Sequence, residues 1–90
     1  MPQRTVAVGS SVGLHARPAA MFVQAAAAQP VKITVCKPGG TPVDARSILS
    51  VLALDARGGD EIVLTAEGDG AEEALDTLVA LVSRDLDKEE

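Results

Sequence analysis

Short runs with strand chemistry alternate with runs of helical period, and glycine or proline cuts the chain at nearly every change. Thr5-Val6-Ala7-Val8 reads as a strand that ends at Gly9-Ser10-Ser11. From Pro18 the spacing shifts: Ala19, Phe22, Val23, Ala26 and Ala27 follow the 3.6-residue period of an amphipathic helix, which Pro30 stops. Val31 to Lys37 then alternates with period two, as a half-buried strand does. Pro38-Gly39-Gly40 is a turn, after which Thr41 to Val43 returns as a short antiparallel strand.

Residues 47–54, Ser-Ile-Leu-Ser-Val-Leu-Ala-Leu, suit either a buried strand or a short helix. Ser47 as N-cap, with Ile48, Val51 and Leu52 on one face, favours the helix. Gly58-Gly59 breaks it, and Glu61 to Ala66 is the last strand. Gly68-Asp69-Gly70 turns into a long helix, with Asp69 and Glu72 spaced as a capping box and Glu73 suited to the helix N-terminus. Its expected core stripe is Ala71, Leu75, Leu78, Val79, Val82 and Leu86. The order is β-α-β-β-α-β-α. Four short strands in so small a chain cannot bury both faces of a sheet. The expected class is therefore α+β: an open-faced β-sandwich, with three helices on one face of a four-stranded antiparallel sheet.

Composition limits what such a fold can do. The chain has 90 residues, which suits a single domain over 1–90 with one core. Hydrophobic residues make up 47%, yet Phe22 is the sole aromatic, so the core is built from Ala, Val, Leu and Ile. Cys36 stands alone, which excludes an internal disulfide and suits a reducing cytoplasm. The opening residues lack an apolar signal region, and no segment approaches the ~20 apolar residues of a membrane span. A cytoplasmic protein without membrane insertion is expected, and nothing in the sequence points to oligomerisation, so a monomer is expected. Charge is split: residues 1–57 carry six basic against two acidic side chains, and residues 58–90 carry two against eleven. The basic half suits an anionic group or an acidic partner surface. Nucleic acid does not fit, because the basic residues are scattered and Tyr and Trp are lacking for stacking.

Most catalytic constellations are missing. One His and one Cys far apart make no zinc site, so no metal or other cofactor is expected. There is no G-x-x-x-x-G-K-[ST] loop, and the serines are in no nucleophile-elbow pattern. What remains is His15, in the segment Val12-Gly13-Leu14-His15-Ala16-Arg17-Pro18. Pro18 fits the first helical turn, where its missing N–H costs nothing. His15 then lies just before a helix N-terminus, whose unpaired N–H groups, those of Arg17, Ala19 and Ala20 among them, make an anion site. Gly13 permits a sharp turn, and Arg17 offers a forked donor for phosphate oxygens. The helix dipole disfavours imidazolium, which keeps His15 nucleophilic at neutral pH. Spacing alone leaves two readings open: a solvated or capping side chain beside a helix start, or a nucleophile that receives a phosphoryl group.

The segment Gly13-Leu14-His15-Ala16-Arg17-Pro18-Ala19 resembles the active-site signature of HPr, the histidine-containing phosphocarrier family of the bacterial phosphoenolpyruvate-dependent sugar phosphotransferase system. The resemblance extends to chain length, element order, the Arg46-Ser47-Ile48 segment and the Gly59-Asp60-Glu61-Ile62 stretch. It implies a carrier rather than an enzyme. His15 would take a phosphoryl group on Nδ1 from phosphorylated enzyme I and pass it to a sugar-specific enzyme IIA. The backbone of Ala16 and Arg17, with the Arg17 side chain, would steady that group. In one branch of the family a serine matched by Ser47 is phosphorylated by an HPr kinase that acts as a regulator, whereas the local chemistry of Ser47 is that of an N-cap. Ala20, Ile48, Leu49 and Leu52 match the partner-docking surface, which Arg17 and Arg46 would rim. Where the family often has a polar residue three places before the histidine, this chain has Val12. A nitrogen-branch relay carrier and an HPr-like regulatory binding module are the alternative readings.

Overall fold

A computed structural model of the protein describes residues 2–9, 13–14 and 16–84. Seven elements follow in the order β1 (Gln3–Ala7), α1 (Ala16–Ala27), β2 (Lys32–Cys36), β3 (Val43–Asp44), α2 (Ile48–Ala53), β4 (Glu61–Glu67) and α3 (Ala71–Val82). The strands form one sheet in the order β1-β4-β2-β3, antiparallel at every seam. This is the expected β-α-β-β-α-β-α open-faced sandwich.

Register sets the two faces of the sheet. Val6 opposes Ile62, Ile33 opposes Ala66, and Val35 opposes Leu64. All six are buried, and they form the floor of the core. Their neighbours along each strand, among them Thr5, Thr34, Val63 and Thr65, point to the opposite face. Above the floor lie Ala19, Phe22 and Ala26 of α1 and Ala71, Ala74, Leu75, Leu78 and Val82 of α3. α3 rests on β1, β4 and α1, whereas the short α2 packs on α1 and β3. Small alanines at the helix contacts let the helices approach the sheet closely over a core with one aromatic ring.

Several boundaries move from their sequence expectation, each for a local reason. β1 begins at Gln3 rather than Thr5, because Gln3 and Arg4 pair with Thr65 and Leu64. β3 is displaced to Val43–Asp44 by its pairing with Val35 and Thr34. α1 starts two residues before Pro18, which sits buried in its first turn. The capping box expected at Asp69 and Glu72 is not formed. Gly70 is the N-cap of α3, in a left-handed conformation with φ 87°, and no side chain caps that end. Glu72 instead points to Arg4, 3.6 Å away, and Asp76 joins the same guanidinium at 3.4 Å. The α3 core stripe holds apart from Val79, which is half-buried, and Leu86, which lies outside the described residues. Ala74 belongs to it as well.

Candidate functional site

The segment before α1 is tied down by backbone contacts. Gly13 has φ 76°, and a Cβ there would lie 2.2 Å from the Ala56 carbonyl oxygen, so both conformation and space demand glycine. The next residue, Leu14, is buried and donates its N–H to that same oxygen at 2.8 Å. His15, the expected nucleophile, lies outside the described residues, as do Ser11 and Val12. On the far side of His15 the chain enters α1 at once, with Pro18 and Ala19 buried. Position 15 thus joins a pinned residue to a helix N-terminus whose first turn holds no acidic side chain.

Arg17 is exposed in that first turn and has no ion-pair partner among the described residues. The other arginines near α2 are engaged. Arg46 grips Asp44 through two side-chain hydrogen bonds of 3.2 Å, and its backbone N–H adds a third of 2.9 Å. The side-chain hydrogen bond from Arg46, the largest cause, holds the Asp44 carboxyl below its ordinary range, and it raises Arg46 in turn. Arg57 pairs with Asp55 at 3.3 Å. Arg46 therefore contributes much less open charge to a docking rim than its position in the sequence suggests.

Ser47 is the N-cap of α2: its Oγ accepts the Ser50 N–H at 3.3 Å, with extended backbone angles. The side chains matched to the docking surface are the exposed ones. Val51 alone of α2 is buried, whereas Ile48, Leu49 and Leu52 are exposed, Leu49 to 77%. The reason is the position of α2, which touches α1 and β3 but has no element on its outer side. Ala20 is exposed on α1. Three large apolar side chains exposed on six residues form an adhesive surface, and α2 packs on the helix that carries Arg17.

Sequence reasoning missed Asp55 and Ala56. Asp55 is the one described non-glycine residue with positive φ, 51°, and follows the C-cap Leu54. An aspartate directly after a helix was the available signal, since Asp tolerates that conformation. Two concavities lie elsewhere: a hollow of about 250 Å³ at the start of α3, walled by Asp69, Glu72 and Glu73, and one of about 80 Å³ on the open sheet face beside Lys32 and Glu67. The first repels anions, and the second is too small for more than a few waters. No group of His, Cys, Asp and Glu among the described residues is placed to hold a metal, and no described helix is long and apolar enough to cross a membrane.

Comparison with known proteins agrees with the family resemblance. The family description "PTS HPr component phosphorylation site" matches residues 2–84. Phosphocarrier protein HPr of Streptomyces coelicolor is 51% identical over 88 residues, which covers 98% of this chain and 95% of that one. The same protein of Pseudomonas aeruginosa is 37% identical over the full length of both. Among solved structures, a phosphocarrier protein HPr from Bacillus anthracis superposes with a TM-score of 0.85 at 43% identity, covering 90% of this chain and 95% of that one.

Proposed function

The chain belongs to the HPr family and is a phosphocarrier of the phosphotransferase system rather than an enzyme, and from that premise we propose that His15 carries the phosphoryl group between phosphorylated enzyme I and a sugar-specific enzyme IIA. The observation that carries this reading is the exposed Arg17, without an ion-pair partner among the described residues, in the first turn of a helix that begins one residue after His15. The lone pair of His15 Nδ1 attacks phosphorus while the P–N bond to the donor histidine breaks and its electron pair returns to the donor ring. The reverse exchange, with an acceptor histidine, unloads the carrier. No oxidant, reductant or water enters either step. The chain's own work is to hold the ring in line and to meet the incoming charge with Arg17 and the N–H groups that open α1, including those of Ala16 and Arg17.

Ile48, Leu49 and Leu52 on α2, with Ala20 on α1, supply the surface on which both partners dock in turn. Their exposure supports that assignment. Ser47 is a structural N-cap in this reading. Its phosphorylation by a kinase would place a dianion beside the docking surface and oppose an acidic partner.

Incubation with phosphoenolpyruvate and enzyme I, followed by intact-mass measurement, tests the reading. One acid-labile phosphoryl group is expected, absent from His15→Ala and slow to form in Arg17→Ala. An acid-stable product, or label that survives His15→Ala, would contradict it. A labelled protein that fails to load any sugar-specific enzyme IIA but loads a nitrogen-branch acceptor would move the carrier to that branch.

A further inference from the structure

Resting on the role of His15 given above, we infer that the turn Asp55-Ala56-Arg57, which closes α2, is a positioning element of the phosphoryl site. Leu14, immediately before His15, is held by the Ala56 carbonyl at 2.8 Å and by burial of its own side chain. Gly13 packs backbone on backbone: a Cβ there would stand 2.2 Å from Ala56 O and 2.6 Å from Arg57 Cα, neither of which can swing aside. Ala56 is fully buried, and its carbonyl accepts the Leu14 N–H.

The left-handed backbone of Asp55, φ 51°, is what aims that carbonyl. The rest of the turn is locked from behind. Arg57 donates its N–H to Asp60 Oδ2 at 3.0 Å, and Asp60 returns its own N–H to the Arg57 carbonyl at 2.9 Å. Gly59 and Asp60 are in turn bonded to Val8, directly after β1. The strut thus runs from the sheet through Asp60, Arg57 and Ala56 to Leu14. In sequence, position 15 lies between Leu14, the end of this strut, and the first turn of α1, where Pro18 and Ala19 are buried. Changing the backbone angles of Asp55 shifts the chain that follows, Ala56 O with it, and Leu14 is bonded to that oxygen. In-line phosphoryl exchange is sensitive to such movement, because a 1 Å misplacement costs on the order of a hundredfold in rate.

A series at Asp55 separates conformation from charge. Asn tolerates the left-handed backbone but lacks the carboxylate, Ala tolerates it less, and the β-branched Val least. With phosphorylated enzyme I as donor, kcat is expected to fall in the order Asn, Ala, Val. The loss should be under about threefold for Asp55→Asn and roughly ten- to a hundredfold for Asp55→Val, with KM unchanged, because docking on α2 is untouched. Gly13→Ala should behave like Asp55→Val. NMR of the free protein should show the His15 ring resonances displaced in the Ala and Val variants, while those of Ile33 and Leu64 stay in place. Asp55→Ala, the milder change, keeps the test open if a harsher variant does not fold. A flat kcat across the folded variants, a loss confined to KM, or a loss matching only the unfolded fraction overturns the inference. If the unaltered protein takes no label on His15, the carrier reading itself fails; if it is labelled and the series is flat, the positioning role alone fails.

Discussion

Arg46 stands beside the N-cap of α2, yet its charge is already spent on Asp44. The pair spans two residues, so a short loop brings the partners together and closes the turn that feeds Ser47. Because the native pKa of Asp44 lies below its ordinary value, the pair's contribution to stability is complete above the ordinary aspartate range. It is lost as pH falls through the native value. Arg46→Ala removes the side-chain bonds but keeps the backbone N–H donor. An NMR titration of the Asp44 carboxyl should therefore show a midpoint raised partway toward 3.8. A midpoint that does not move would mean that the backbone donor alone sets it. Arg17 is the contrasting residue: it is exposed, with no acidic neighbour in its helix's first turn and no ion-pair partner among the described residues.

At the scale of elements, what was legible in the sequence depended on the length of the periodic run. α1 and α3 span three turns each, and their apolar stripes of Ala19, Phe22 and Ala26 and of Ala71, Leu75 and Leu78 identify the buried face without ambiguity. α2 has six residues, four of them large and apolar, so periodicity could not say which way it turned. Only the position of β3 and α1 decides that Val51 faces in and Leu49 out. Caps read with similar unevenness. Ser47 was legible because its side chain performs the capping, whereas Gly70 caps with backbone alone and Glu72 was drawn off by Arg4. The Ala56 strut was invisible because it is a backbone contact between segments more than forty residues apart, with no side-chain signature. An exposed Leu49 contributes little to folding. Leu49→Ser should change unfolding free energy by less than about 0.5 kcal/mol. It should nonetheless weaken binding to phosphorylated enzyme I by roughly 1 kcal/mol or more, read by calorimetric titration. Unchanged affinity would remove Leu49 from the docking surface.

The whole molecule gathers its acidic residues in the last third of the chain, where α3 turns Glu72, Glu73 and Asp76 outward. Arg4 neutralises part of that face from β1, and the helix that follows His15 carries only a basic charge. Partners with acidic surfaces are thereby steered away from α3 and toward the opposite end of the chain's charge distribution. Residues of β1, β2, β4 and all three helices enter one continuous core, so we expect no part to melt alone. Scanning calorimetry should give a single transition with equal calorimetric and van't Hoff enthalpies. Two resolved transitions would show that part of this core opens independently.

The burial of Phe22 also makes the protein report on itself. With no tyrosine or tryptophan in the chain, the phenylalanine bands are its whole aromatic near-ultraviolet signature, and that ring is fully enclosed beneath α1. Any circular dichroism in those bands measures how tightly the helix that begins beside His15 is seated on the sheet. Loss of the packing of that helix is therefore readable from inside the core, with no label added.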